Sequence, residues 1–341
     1  MKIAVIGAGP VGLYAAGLLK NLYPGGRVHV YEKRSENQLS GFGYTLHDQS
    51  LYLLRVLHPD VENAILESGT FPFTRRTLTC RGKLLELDPE VSRTMPIIGI
   101  EYDNLLQVLK QHVRQAGVQL HHDTAIANPD ELAQEHDLVV VANGANSSFL
   151  ERFRPEKVDT GLMYAWGKLD AGFDEMAMSL DTAGDIPFVC HKYPISQSAT
   201  AMIVEVLEAH AGQMTQVLAQ SPEMNRYFMK GAEFRKIPLC LCDKKAEGNI
   251  VCIGDAALAQ YFAAGAGLYF GLMQTGLLFH QLDRMPGTIA EKLQTYDAKA
   301  REFMQYQWQP NLSLIRKKQS LLKGHQDMTD EAILNAMVAD E

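Results

Sequence analysis

No apolar run in this sequence is long enough for a membrane-spanning helix, so a chain threaded through a bilayer by its own helices is not expected. Cysteine is scarce. The five (Cys80, Cys190, Cys240, Cys242 and Cys252) make an odd number without the spacing of a disulfide framework. Cys240 and Cys242 stand one residue apart, which is not zinc-ligand spacing, and they alternate with Leu239 and Leu241 as a strand does. They read as core or edge thiols, and no metal site is expected. Basic residues are outnumbered, 32 Lys and Arg against 40 Asp and Glu, for a net charge of -8. No basic stripe interleaved with aromatics is present, which argues against nucleic acid as a partner. Internal repeats and low-complexity tracts are also missing. The first strand begins at once and leaves no room for a leader ahead of it, so a cytoplasmic chain is expected. At 341 residues, 46% hydrophobic and 21% charged, the sequence suits two lobes or one large α/β domain.

What is present starts at the N-terminus, with MKIAVIGAGPVG. A short apolar strand, Ile3 to Ile6, runs into Gly7, Gly9 and Gly12, and a helix begins near Pro10 and Val11. This is the G-x-G-x-x-G turn of a dinucleotide-binding βαβ unit. Gly7 permits the tight turn, Gly9 lets the backbone approach a pyrophosphate, and Gly12 lets helix and strand pack closely. The helix N-terminus offers free N–H groups and the positive end of its dipole. A second strand, Arg27 to Tyr31, ends in Glu32, twenty residues past Gly12, where an acid binds a ribose hydroxyl. An acid there favours FAD or NAD over a cofactor bearing a 2′-phosphate.

Further along, SGFGYTLHDQSLYLLRVL predicts a turn, a strand over Tyr44 to Leu46 and a helix from about Asp48. Alternation over Thr77 to Leu87 predicts strand. Apolar spacing at Leu105, Leu106, Leu109 and Val113 predicts a helix over Tyr102 to Ala116, ended by Gly117. DLVVVA (137–142) is the continuous apolar run of a buried parallel strand and leads into Asn143-Gly144. From about Gly161 to Glu208 the pattern changes to long alternating strands, which suggests an antiparallel sheet. A helical stretch near Gln213 to Lys230 precedes NIVCIGDAA, where a buried strand ends in Gly254-Asp255. Gly265, Ala266, Gly267 and Leu268 then open an apolar helix to Leu282. The remainder is helical, and its basic run Arg316-Lys317-Lys318 reads as a solvated face.

GAGPVG at the start, LVVVANGANS in the middle and GDAALAQYFAAGAG late in the chain together resemble the FAD-dependent aromatic monooxygenases of the para-hydroxybenzoate hydroxylase type. GFGYTL, GIEYDNLLQVL, YAWGKLDAGFDEM and DIPFVCHKYPISQSATAMIVEV are similar to the subgroup of the violacein-pathway hydroxylase and the 2-aminobenzoyl-CoA monooxygenases. The resemblance implies an α/β fold, in which a glutathione-reductase-type, Rossmann-like FAD lobe is interleaved with an antiparallel-sheet substrate lobe and followed by a helical C-terminus. The expected FAD lobe is residues 1–75, 97–158 and 245–285, the substrate lobe 76–96 and 159–244, and the C-terminal helices 286–341. It also implies a reaction in which NADH or NADPH reduces FAD, O2 adds at flavin C4a, and oxygen passes to an electron-rich, nitrogen-containing ring of indole or anthranilate type. The chain is then a monomer or homodimer whose ligands are a small aromatic molecule and O2. Two other readings stay open: a flavin oxidoreductase that inserts no oxygen, and an inactive flavin- or ligand-binding protein.

Carried over residue by residue, the resemblance assigns Gly7, Gly9, Gly12 and Glu32 to the ADP half, with Lys33 and Arg34 able to reach phosphate or adenine. Gly254, Asp255, Gly265 and Gly267 fall to the flavin half. Gly41 to His47, including Gly43 and Tyr44, is expected against the flavin ring. The family's Asp-Gly is Asn143-Gly144 here, and the Arg that follows it is Leu150, so a separate flavin reductase stands beside NADH or NADPH as electron source. Tyr102 replaces an Arg, Leu258 a His, and Tyr261 and Phe262 a pair of prolines. These last two aromatics are expected beside the flavin, where a planar substrate can stack. His191 and Tyr193 alternate on one strand and share a face, where they bond a ring substituent or assist proton removal, or else form a surface or structural pair. His47 reads as a flavin or substrate contact or as a helix cap. Trp166 reads as pocket wall or core.

Overall fold

A computed structural model describes the chain except residues 39–40, 58, 81, 86–92, 221–232, 263–265 and 338–341, with the side chains of 56–57, 93–96, 218–220 and 325 also left aside. The opening strand Lys2–Ile6 lies inside a six-stranded sheet. The order runs Ala246–Glu247, Ile250–Cys252, Leu138–Val141, Lys2–Ile6, Arg27–Tyr31, Gln119–His121. All its neighbours pair in parallel except the first two. Parallel strands buried on both faces need unbroken apolar sequence, and Ile3, Val5, Val139, Val140 and Val251 are fully buried. Because the middle and late strands flank the first, the turns after Ile6, Val141 and Cys252 gather at the C-terminal edge of one sheet, where α/β folds bind ligands.

The second sheet has nine strands. Its core is the antiparallel set Leu162–Leu169, Ala199–Leu207, Ile186–Ser196 and Met176–Ala183. One pair departs from the expected pattern, since Met176–Ala183 runs parallel to Phe71–Cys80. Gly43–Leu46 joins the same sheet through Arg93–Glu101. A third, small sheet pairs Cys240–Cys242 with Leu258–Ala259 and Pro155–Lys157, and all five cysteines are buried.

The predicted helices fall at Pro10–Leu22, Asp48–Leu57, Tyr102–Gln115 and Gly267–Arg284. The helix expected over 213–230 is described as Ala211–Gln220, and the rest of that range lies outside the described residues. The long helix Ile289–Gly324 buries Leu293, Tyr296, Ala300, Met304, Trp308, Asn311, Ile315, Lys318 and Leu322, a stripe at spacings of three and four. That stripe corrects one expectation: Arg316 is exposed, but Lys318 has no exposed surface. The basic run is therefore only partly solvated. No described helix is long and apolar enough to cross a membrane.

Candidate active site

The opening turn is built by hydrogen bonds and close packing. Gly7 takes φ +106° and donates its N–H to the Tyr31 carbonyl at 2.8 Å. A Cβ at Gly12 would meet the Gly7 carbonyl oxygen at 2.1 Å, so only glycine fits there. Glu32 is tied to the turn: Ala8 N–H donates to its Oε2 and Arg34 N–H to its Oε1, both at 3.0 Å. The helix after Gly9 has no side-chain cap, no acid in its first turn and Pro10 at its start. Its free N–H groups thus keep their capacity for an anion. A Cβ at Gly9 or at Gly144 (φ +87°) would meet nothing within 4 Å, so both backbones border open space. Lys33 and Asn143 are exposed and Arg34 half-buried beside it. A pyrophosphate fits this uncapped, open helix end.

The late motif arrives at the same edge. Gly254 (φ +63°) donates its N–H to the buried Gln274 Oε1 at 2.6 Å, which fixes the turn that presents Asp255. Ala266 is the N-cap of helix Gly267–Arg284, and a Cβ on Gly267 would lie 3.9 Å from Asp255 Oδ1. Ala266, Gly267 and Leu268 are half-buried; Gly265 lies outside the described residues. Asp255 is exposed at this edge, and desolvation by the protein around it pushes its carboxyl up to about 6. An acceptor of this kind beside a helix N-terminus suits the hydroxyls and ring edge of a flavin.

Tyr44 joins the two halves of the cleft. Burial pushes its hydroxyl well above the usual range, and Tyr102, Asp255 and Tyr193 all act on it in the same direction. The Tyr44 and Tyr102 rings lie 5.6 Å apart, and Tyr102 N–H donates to the Phe42 carbonyl at 3.1 Å. The space that Gly43 leaves is filled by Ile195, 2.4 Å from a Cβ placed there, so the sheet itself requires this glycine. His47 is half-buried directly before helix Asp48–Leu57, and its carbonyl accepts from Leu51 N–H at 3.1 Å.

The second sheet faces this cleft with the odd residues of one strand and their in-register partners. Glu205 stands opposite Val189 on one side, and Tyr164 stands opposite Glu205 on the other. His191, Tyr193 and Ile203 share that face with Trp166. The Tyr193 hydroxyl donates to the Gly43 carbonyl at 3.4 Å. Trp166 is half-buried and meets Phe42 edge-on at 5.5 Å. Phe262, also half-buried, lies 5.1 Å from the Tyr164 ring and 6.1 Å from His191. Tyr261 takes a different place from Phe262. It is 1% exposed, its N–H donates to Asn311 Oδ1 at 3.0 Å, and its hydroxyl donates to Glu205.

Sequence reasoning missed Glu205 and Lys318. In TAMIVEVL the period-two pattern puts Glu205 on the inward face with Ile203 and Ala201, and an acid on that face was the available signal. Among the described residues no group of His, Cys, Asp and Glu is placed to hold a metal ion.

The family pattern described as the FAD binding domain matches residues 1–179, more than half of the chain. The chain belongs to that FAD-binding family. It is 28% identical over 342 aligned positions to salicyloyl-CoA 5-hydroxylase of a Streptomyces species, covering 92% of this chain and 65% of that protein. The chain thus spans slightly under two thirds of that relative's length. It is 27% identical to protodeoxyviolaceinate monooxygenase of Chromobacterium violaceum, over 83% of this chain and 79% of the relative. Among solved structures, the tetrameric form of 2-methyl-3-hydroxypyridine-5-carboxylic acid oxygenase superposes with a TM-score of 0.77 at 19% identity, covering 98% of this chain and 95% of that one. That last likeness concerns the fold.

Proposed function

We propose that this FAD-binding chain is a monooxygenase that hydroxylates a small aromatic, nitrogen-containing molecule of indole or anthranilate type. The observation that carries the reading is Tyr44, which lies within electrostatic reach of Asp255 on the cofactor side and Tyr193 on the substrate side. One cleft thereby presents a flavin-binding edge to an aromatic sheet face. The names of the relatives, a salicyloyl-CoA 5-hydroxylase and a protodeoxyviolaceinate monooxygenase, agree with a monooxygenase that hydroxylates.

Bound FAD supplies the oxygen chemistry. The chain's residues would hold and shield it: the uncapped helix at Gly9 would take the pyrophosphate, Glu32 the ribose and Asp255 the hydroxyls near the ring. Phe262, Tyr164 and Trp166 offer apolar faces that stack a planar substrate and exclude water. His191 and Tyr193 supply the polar atoms on that surface. Leu150, at the position of the family's Arg, is 1% exposed and offers a nicotinamide no charge. This favours a separate flavin reductase as electron source, with direct reduction by NADH or NADPH as the other arm of the test. A cytoplasmic monomer or homodimer is the form proposed.

The test is stopped-flow reduction of the FAD-loaded protein with NADH, NADPH or free reduced flavin, then mixing with O2 and a panel of indoles and aminobenzoates. The reading expects an O2-dependent hydroxylated product from one class of the panel. Turnover that persists anaerobically with an artificial acceptor would instead assign an oxidoreductase without oxygen insertion.

A further inference from the structure

Strand Arg27–Tyr31, which leads into Glu32, carries a ladder of half-buried rings on one face of the six-stranded sheet. His29 Nδ1 lies 3.0 Å from His121 Nε2, and the two ring planes are 13° apart with centroids at 5.3 Å. Tyr31 continues the ladder at 4.9 Å from His121. His136 meets His29 edge-on at 6.0 Å, and its Nδ1–H donates to the Leu132 carbonyl at 2.9 Å. Two imidazole nitrogens this close share one hydrogen: one ring donates and the other accepts with a lone pair. A proton added to the far nitrogen of the donor leaves that bond intact. A second proton can go only to the accepting nitrogen, and the hydrogen bond becomes a contact between two cations.

The pair matters because of what lies just beyond it. His121 ends the strand Gln119–His121, three residues long and outermost in its sheet. From there the chain grips residues 32–34 through the backbone. Glu32 N–H donates to the His121 carbonyl and Thr124 N–H to the Glu32 carbonyl, both at 2.9 Å, and Asp123 N–H donates to the Arg34 carbonyl at 3.2 Å. Asp123 takes φ +54°, a left-handed backbone that side chains rarely adopt, so this grip depends on its surroundings. A strand this short is held by few contacts, and the imidazole pair is one of them.

We infer that His29 and His121 are positioning residues for the cofactor: while they share one hydrogen they hold residues 121–124 on the Glu32–Arg34 segment, and a second proton opens this clasp and weakens the grip on the ADP half of FAD. The inference rests on the assignment of Glu32 to the ribose made above, and it gives that segment a proton dependence of its own. The step forms one N–H bond on the accepting ring and breaks one hydrogen bond. Nothing is oxidised or reduced.

The charges around the pair oppose that second proton. Burial first, then His121, His136 after the short helix Pro129–Glu135, Lys2 from the first strand and Arg27 from its own strand hold His29 below the ordinary imidazole value of 6.5. Two carboxylates face this side, and Lys2 engages both: its Nζ lies 3.5 Å from Glu135, and its N–H donates to Asp137 at 2.7 Å. Burial and Glu135 push the Tyr31 hydroxyl up, so it stays neutral. His122, next in the chain, acts on Glu36. With its value depressed in the fold, neutral His29 contributes stability that is complete above pH 6.5 and is lost as pH falls below it.

The test is the FAD affinity of the full chain, titrated at pH 7.5 and at pH 5 in wild type, His29→Gln and His121→Gln. Glutamine keeps a polar side chain at the site and takes up no proton. Between the two pH values the wild type should lose about fivefold more affinity than either variant. Asp255 is present in all three, so its own titration cancels from this ratio, and the same excess should appear in an Asp255→Asn background. Nitrogen-15 NMR of labelled histidines in the wild type needs no substituted chain to fold. It should show one hydrogen shared by His29 Nδ1 and His121 Nε2 at pH 7.5, lost as the second proton is taken up. An equal or smaller loss of affinity in the wild type, or two rings that titrate independently, would each overturn the inference. Glu32→Ala separates it from the ribose assignment. Weakened FAD in Glu32→Ala with no histidine effect on the pH dependence removes the clasp alone; a histidine effect with Glu32→Ala binding as tightly as wild type removes the ribose assignment alone.

Discussion

Val11 fills the space that Gly271 leaves open: a Cβ on Gly271 would come within 2.3 Å of Val11 Cγ2. The same side chain lies 3.2 Å from a Cβ placed on Gly254. Through this contact the helix that follows the first glycine turn packs on the late turn and helix by way of one β-branched residue with little χ1 freedom. Gly271→Ala should therefore cost about 1–3 kcal/mol by overpacking. It should also loosen FAD, with Val11→Ala in the same chain recovering part of both losses. Thermal unfolding and flavin retention after gel filtration measure the two effects.

Glu32 holds the opening turn through hydrogen bonds from Ala8 and Arg34, in addition to its proposed contact with ribose. Removing a charged acceptor from such bonds costs about 1.5–3 kcal/mol each where the donors stay dry, and less where water replaces it. Glu32→Ala should lower the melting temperature of the apoprotein as well as FAD affinity. An effect on affinity alone would confine Glu32 to ligand binding.

The cofactor half was legible because it is written locally. GAGPVG, Glu32, Gly254-Asp255 and the helix at Gly267 each declare a turn, a strand end or a helix start within a few residues. The cluster at the substrate half is not local. Glu205 belongs to a mostly apolar strand and Lys318 to a run of three basic residues, and nothing near either in sequence says that the charge of one acts on the other. Tyr261 and Phe262 are adjacent in the chain, yet one is sealed against Glu205 and the other faces the cleft, a division made only by tertiary packing.

Asp255 should make FAD binding pH-dependent. Its folded-state carboxyl lies at about 6, above the ordinary 3.8. Its contribution to apoprotein stability is therefore present below pH 3.8 and lost as pH rises through about 6. FAD binding uses the anion as acceptor and moves the opposite way, weakening as pH falls through about 6. Equilibrium titration of apoprotein with FAD across pH 5 to 8 checks this. Asp255→Asn should flatten that dependence, and Asp255→Ala should abolish tight retention.

Phe262 should govern coupling more than cofactor content. Its ring bridges Tyr164 and His191 at the cleft. Phe262→Ala removes a stacking surface worth about 0.5–1.5 kcal/mol beyond its area. The expected outcome is full flavin loading with a larger share of consumed O2 released as hydrogen peroxide. Unchanged coupling would move Phe262 out of the substrate site.

The most direct measurement of the central claim is isotopic. FAD-loaded protein, reduced and supplied with ¹⁸O₂ and the aromatic compound that its turnover selects, should yield a ring-hydroxylated product carrying one ¹⁸O atom. A product formed without the label, or formed equally well in the absence of oxygen, would contradict the account.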